Sequence, residues 1–214
     1  MRVGILGSGA VGRALGTAFV EHGHEVTIGS QHTEKDELVA WRRASGPSAR
    51  TATFAETARQ GELLALCCLG EAVDAVIELA GPDHFDGKVL IDVTNPLDFS
   101  KGMPPGLFVG LTDSLGERVQ RRLPRARVVK CFNIVPNARM GHPERHGEKP
   151  DMILAGNDPA AKAQVTEILR SFGWSGAIDI GGIDSARWLE AMVPLWVRVA
   201  TALGSYDVAF KVVR

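Results

Sequence analysis

Residues 1–35, "MRVGILGSGAVGRALGTAFVEHGHEVTIGSQHTEK", decide the fold. Val3 to Leu6 is an apolar run of strand type, and Val11 to Val20 carries apolar residues at helical spacing. Between them stands Gly7-Ser8-Gly9-Ala10-Val11-Gly12. Glycines in this order, between a strand and a helix, form the phosphate-binding turn of a dinucleotide fold. Gly7 permits the tight turn. Gly9 lacks the Cβ that would hold a pyrophosphate away from the backbone, and Gly12 lets the helix pack closely on the strand. The helix start at Ala10 and Val11 offers free N–H groups and partial positive charge to the phosphates.

Val26 to Ile28 reads as the second strand. In such folds an acid near its end accepts hydrogen bonds from the adenosine ribose of NAD and repels the extra phosphate of NADP. No acid occurs from Val26 to Thr33. Ser30, Gln31 and His32 stand there, with Lys35 a turn further on. Hydroxyl, amide and ammonium groups donate to an anion, so a 2′-phosphate is expected, and with it NADP(H).

The alternation continues outward. Glu34 to Arg43 reads as an outer helix, Thr51 to Phe54 as a short strand and Leu63 to Leu69 as a buried strand. Ala72 to Ala80 is helical, Val89 to Val93 a strand, Ser114 to Leu123 a helix and Val128 to Phe132 a strand. Met152 to Ala155, Pro159 to Phe172 and Ala177 to Ile180 read as strand, helix and strand. Continuous apolar strands alternating with helices predict an α/β fold of Rossmann type, a doubly wound parallel sheet. Residues 1–180 form this dinucleotide-binding domain. The Gly181-Gly182 pair marks the boundary to a small helical C-terminal lobe, residues 181–214. In that lobe Ile183 to Leu203 reads as one apolar helix kinked or broken at Pro194. Two long loops, Thr94 to Thr112 and Asn133 to Pro150, follow strand ends on the side where open α/β sheets bind ligands.

Those strand ends supply the candidates for the nicotinamide end of the site: Leu69, Asn95, Pro96, Asn133 and Val135. Asn95 or Asn133 could bond the carboxamide; either could instead cap or form a turn. The last helix carries Trp188, Leu189, Met192, Leu195, Trp196, Val199, Ala200 and Leu203. Such a helix is buried either against a second copy, giving a homodimer, or in its own chain's core.

Composition narrows the partners. Lys and Arg number 24 against 25 Asp and Glu, with no basic stripe, so neither nucleic acid nor a membrane surface is expected. The longest apolar runs fall short of a membrane span, and no secretion leader follows Met1. Cys67, Cys68 and Cys131 give no disulfide framework or metal spacing, which fits a reducing, cytoplasmic location. His22 and His24 lie in a turn and His142 and His146 in a polar loop, so they read as solvated side chains and no metal is expected. No nucleophile triad is legible. Hydride chemistry belongs to a cofactor and needs none.

"VTIGSQHTEK", "IDVTNPLDFS", "KCFNIVPNARM", "AGNDPAAKAQVTEILRSFGW" and "DSARWLEAMVPLWVRVA...VAFKVVR" occur in that order over nearly the whole chain. Together they resemble the NADPH-dependent F420 reductases, also called F420-dependent NADP oxidoreductases. The Asn-Pro-Leu, Asn-x-x-x-x-Ala-Arg and terminal Phe-Lys segments are the more specific ones. The resemblance implies a Rossmann domain with a helical C-terminal lobe and hydride exchange between NADP(H) and a deazaflavin, coenzyme F420. It implies Ser30, Gln31 and Lys35 around the 2′-phosphate, Ser8 and Gly9 at the phosphates, and Cys68-Leu69-Gly70 beside the nicotinamide. The family commonly has Arg where this chain has Gln31, and a Pro-containing stretch where it has Cys68-Leu69-Gly70. Two other functions fit the same sequence: an NADPH-dependent reductase of a flavin, quinone or small carbonyl compound, and a non-enzymatic NADP(H)-sensing protein.

Overall fold

The computed structural model describes residues 1–145 and 147–213; His146 and Arg214 lie outside the described residues. Eight strands form one sheet: β1 (Arg2–Leu6), β2 (Glu25–Gly29), β3 (Ala49–Ala52), β4 (Leu63–Leu66), β5 (Val89–Asp92), β8 (Arg127–Lys130), β9 (Met152–Gly156) and β10 (Ala177–Asp179). Their order is β10-β9-β8-β5-β4-β1-β2-β3. The chain builds outward from β1 to β3, then crosses to β4 and builds the other way. The strand order therefore reverses between β1 and β4, the place where such sheets open a ligand crevice.

Successive strand residues face opposite sides, and both sides are covered. Val3, Ile5, Leu63, Ala65, Val89 and Ile91 join one core with Leu15 and Phe19 of α1 (Ala10–Glu21) and Leu38 and Trp41 of α2 (Asp36–Ser45). Leu6, Leu64, Leu66 and Leu90 join the other. That side is closed by α3 (Phe54–Gln60), α4 (Val73–Ala80) and α5 (Leu115–Arg122). A buried Leu, Ile or Phe contributes about 1.5–3 kcal/mol, so the two cores hold the sheet from both faces.

The structure corrects the sequence reading at four places. Phe54, expected in a strand, opens the helix α3. Thr53 caps it by accepting from the Glu56 N–H at 3.3 Å, while Glu56 accepts from the Thr53 N–H at 3.1 Å. The sheet is not wholly parallel: β9 runs antiparallel to β8, and β10 follows β9. Among the described residues no α-helix joins β8 to β9, and without a helical crossover the chain returns antiparallel. Two strands stop early, β4 at Leu66 and β8 at Lys130, which frees Cys67–Leu69 and 131–135 as loop. Within the first long loop, β6 (Leu97–Asp98) and β7 (Gly106–Leu107) pair as a small hairpin. α6 (Pro159–Ser171) forms as expected.

The C-terminal helix α7 (Ala186–Ala202) contains Pro194 and runs through it unbroken. Leu189, Val193 and Val197 enter the first core, and Ala186 the second. Glu190 of α7 is 2 % exposed. It joins Lys130 of β8, at 2.8 Å, and Lys130 also donates to Asp92 of β5 at 3.0 Å. Lys130 and Asp92 are wholly buried. Burial alone would lower the Lys130 pKa, but the two carboxylates outweigh it and hold the ammonium above its usual value. Glu190 accepts from the free N–H groups of Leu115 and Gly116 at the start of α5, at 2.8 and 2.9 Å.

Breaking a buried ion pair from one side leaves uncompensated charge, costing about 3–5 kcal/mol. Lys130→Met is therefore expected to lower the unfolding free energy by about that amount in a urea titration. An unchanged midpoint would show that the two carboxylates do not need their cation.

Candidate functional site

The glycine turn Gly7–Gly12 joins β1 to α1. Gly7 has φ +133°, and a Cβ there would sit 2.5 Å from the Cys67 carbonyl oxygen. A Cβ at Gly12 would sit 2.0 Å from the Gly7 carbonyl oxygen, so the helix can approach the turn only as glycine. At Gly9 the geometry is the reverse: a Cβ would meet nothing within 4 Å. Gly9 is exposed at the mouth of α1, and the open volume beside it is what a pyrophosphate needs.

At the end of β2, Ser30 is 2 % exposed. Its Oγ accepts from Ser8 Oγ at 3.3 Å and from the His32 N–H at 3.2 Å. This joins the phosphate turn to the ribose side of the site. Gln31, His32 and Lys35 are exposed beside it. Glu34, the nearest acid in sequence, reaches Arg42 of α2 at 3.5 Å. The donor set and the open space at Gly9 fit an NADP-type dinucleotide.

A cavity of about 220 Å³ opens at the ends of β4 and β5. Val11, Cys67, Cys68, Leu69, Gly70, Glu71, Val93, Thr94, Asn95, Leu97 and Phe99 line it. Of the nicotinamide candidates, Leu69 and Asn95 are on its wall, and Leu69 is 75 % exposed. Asn133 meets Asn95 behind the wall: Asn95 Nδ2 donates to the Asn133 carbonyl at 3.0 Å, and Asn133 Nδ2 donates to Asn95 Oδ1 at 2.9 Å and to the Leu189 carbonyl at 3.1 Å. Asn133 Oδ1 is buried and accepts nothing. Pro96 and Val135 are buried and do not line the cavity. Pro96 instead accepts the Phe108 N–H through its carbonyl, holding the hairpin loop.

Phe132, just before Asn133, has φ 65°. A left-handed non-glycine residue costs about 1–2 kcal/mol. Burial of its ring, 6.4 Å from Phe172 between centroids, supports the bend that turns Asn133 toward Asn95. The buried ion cluster lies directly beneath: Lys130 donates to the Thr94 carbonyl at 2.6 Å, and Asp92 accepts from the Thr94 N–H and hydroxyl at 3.0 and 2.6 Å.

Burial pushes the Cys68 thiol up to about 12 and Cys67 well above its ordinary value. Neither is a thiolate near neutral pH. Among the described residues no group of three His, Cys, Asp or Glu side chains could hold a metal ion, and no helix is long and apolar enough to cross a membrane. A larger cavity, about 340 Å³, lies between the 139–150 segment and 207–211. It shares no wall with the phosphate turn or the ends of β4 and β5, and its charges pair with one another, as Arg139 with Asp207 and Lys211 with Glu148. The smaller cavity is the one that adjoins the phosphate turn, through Val11 and Cys67. Sequence reasoning missed Glu71 and Thr94 on its wall, and Phe99, 52 % exposed at its rim. Only the Pro- and Gly-rich composition of the Phe99 loop pointed that way.

Fold and site together define a dinucleotide-binding oxidoreductase architecture. The model for NADP oxidoreductases dependent on coenzyme F420 matches residues 2–96. A crystal structure from Arthrobacter sp. FB24, of a protein provisionally assigned as an F420-dependent NADP-reductase, is 40% identical, with a TM-score of 0.95 and 100% of both chains covered. The F420-dependent NADP reductase of Methanothermobacter marburgensis is 28% identical over 208 residues, 93% of this chain and 92% of that protein. Rat Metalloreductase STEAP3 is 30% identical over 213 residues, 96% of this chain, but the chain spans only 40% of that protein's length. The chain belongs to the coenzyme F420-dependent NADP oxidoreductase family.

Gly9→Val places a branched side chain in the open space at the mouth of α1 and touches no neighbouring atom with its Cβ. It is expected to keep the wild-type circular dichroism spectrum and thermal midpoint while NADPH binding, followed by nicotinamide fluorescence, is lost. Near wild-type affinity in the folded variant would refute the assignment of this turn to the pyrophosphate.

Proposed function

We propose that the protein exchanges hydride between NADP(H) and a deazaflavin of the coenzyme F420 type. The observation that carries this reading is the chemistry of the 220 Å³ cavity wall. Its ionisable side chains are Glu71 and two thiols that burial keeps protonated. Reducing a carbonyl compound calls for a positioned proton donor to the new oxyanion. Transfer of hydride between two ring systems calls for orientation and a dry contact. The exposed Leu69 and Phe99 at the mouth fit the face of a planar acceptor.

In this reading bound NADP(H) supplies or receives the hydride. Residues Gly7 to Gly12 hold the pyrophosphate, and Ser8, Ser30, Gln31, His32 and Lys35 surround the 2′-phosphate. Cys68, Leu69 and Asn95 border the nicotinamide. Asn133 holds Asn95 from behind that wall, which leaves Asn95 at the edge of the ring. Pro96 and Val135 act as packing behind that wall. The F420-dependent NADP reductase and the metalloreductase align with 93% and 96% of this chain and differ in the substrate they are named for, which supports an NADP(H) module whose second substrate differs between branches. Three unbridged thiols support a reducing, cytoplasmic location.

We also infer a homodimer through the C-terminal lobe, residues 181–214. Trp188, Leu195 and Leu203 are exposed by 57 %, 54 % and 67 %, on or just beyond the end of a helix whose other face is already buried. Trp196 contributes less than its sequence suggests, because its indole donates to the Val208 carbonyl at 2.7 Å within the same chain. Sedimentation is expected to give a dimer at micromolar concentration, and Leu195→Glu a monomer. A wild-type monomer would overturn this interface.

The functional reading is tested by following NADPH oxidation with oxidised coenzyme F420, FMN, FAD and a quinone. F420 is expected to be reduced with the highest kcat/KM. Turnover of FMN, FAD or the quinone with none of F420 would favour the flavin or quinone reductase reading, and no turnover beside tight NADPH binding would favour a sensor.

A further inference from the structure

Arg13 stands one residue after the last glycine of the phosphate turn, in the first turn of α1. It is half-buried, and its Nη1 donates back to the Ser8 carbonyl at 2.7 Å. Among the described residues its guanidinium has no carboxylate partner. Most arginines of the chain with a described polar contact reach a carboxylate, such as Arg2 with Glu62, Arg42 with Glu34 and Arg187 with Glu117. An arginine held by a single neutral oxygen keeps four N–H donors for another acceptor.

Where that acceptor would sit follows from Ser8. Its carbonyl holds Arg13, and its hydroxyl donates to Ser30 Oγ, which also accepts the His32 N–H. Arg13, Ser8, Ser30 and His32 thus form one connected row from the phosphate turn to the end of β2. The side chain at that end is Gln31, a neutral donor, and Lys35 is exposed. A phosphate at Ser30 therefore meets hydroxyl, amide and backbone donors; of the half-buried cations nearby, Arg42 is already engaged by Glu34 and Thr51, which leaves Arg13. The Ser8 carbonyl is a neutral acceptor, and a phosphate oxygen, being charged, is the stronger acceptor for the same guanidinium.

We propose that Arg13 is a specificity-determining ligand of the adenosine 2′-phosphate, supplying the positive charge that Gln31 does not. The inference rests on the NADP(H) reading above. The Ser8 carbonyl is Arg13's resting acceptor, and the cofactor's 2′-phosphate takes its place.

The test is calorimetric titration of NADPH and NADH into wild type, Arg13→Gln and Arg13→Ala. Gln retains a donor for the Ser8 carbonyl, so a role confined to bracing the turn survives in that variant. Both variants are expected to fold as wild type does, since the side chain makes one bond at a half-buried position. Loss of charge-assisted bonds is expected to weaken NADPH by about tenfold or more in both variants, and NADH by less than about twofold. The NADPH effect should shrink as salt is raised, because a partly exposed ion pair is screened. Equal weakening of both cofactors would assign Arg13 to the pyrophosphate they share, or to the turn, and would overturn the proposal. Unchanged NADPH affinity would overturn it as well. A wild type that binds NADH at least as tightly as NADPH would instead sink the NADP(H) reading itself, and this inference with it.

Discussion

The buried contact among Lys130, Asp92 and Glu190 is the constraint on which the rest of the site depends. It ties together β5, β8 and α7, and through the two N–H groups accepted by Glu190 it also fixes the start of α5. An isolated charge in such a place would be very costly. Here each charge has an opposite partner and further hydrogen bonds, the condition under which buried ions persist. Such a cluster adds little net stability over an apolar one. What it adds is geometry: its polar atoms accept only one arrangement of the four elements. The Thr94 backbone is part of that arrangement, held from one side by Lys130 and from the other by Asp92. Asn95 is the next residue, and it is already on the cavity wall.

A second restraint meets the first at Asn95. The left-handed Phe132 bends the chain after β8, and the Asn95–Asn133 pair closes over it, with Leu189 of α7 accepting as well. The C-terminal helix therefore braces the residues behind the cavity wall twice, through Glu190 on Lys130 and through the Leu189 carbonyl on Asn133. A disturbance of α7, such as a change in how it meets a second copy, would be felt at Asn95 without any contact between the interface and the cofactor.

The half of the site built on local rules was legible in the sequence. The turn from Gly7 to Gly12 depends on contacts within one strand–turn–helix unit, so spacing alone revealed it. The absence of an acid after Val26 was equally local. Elements set by tertiary contact were not legible. β9 and β10 carry the same apolar signature as the parallel strands, and direction is not written in hydrophobicity. The strand ends at Leu66 and Lys130 were overrun because apolar residues continue past them into loops that are themselves buried. The Lys130 cluster could not be foreseen, since its members lie 38 and 60 residues apart in sequence, and lysine inside a strand ordinarily reads as an edge. The helix α3 is different. Thr53 and Glu56 are a capping box, a helix start written in the sequence, against which the β-branched Thr51 and Thr53 with Phe54 make a competing strand pattern.

The division between legible and illegible parts coincides with a chemical one. The family match runs over residues 2–96 and so contains the glycine turn, the end of β2 and the wall from Cys67 to Asn95. Phe99 and the hairpin that carries it lie beyond that match. Cofactor binding is constrained by a fixed ligand: pyrophosphate, ribose and nicotinamide have one shape, and a backbone turn that fits them tolerates little change. Hydride acceptors differ in ring size and charge, and a surface hairpin bearing exposed apolar side chains can be altered without touching the core. The hairpin is closed at its base by the Phe108 N–H donating to the carbonyl of Pro96, the residue after Asn95. It can therefore change what it presents to an acceptor while the wall beneath stays in register with the cofactor. The least locally determined part of the cavity rim is thus also the part freest to vary, and the glycine turn the least free.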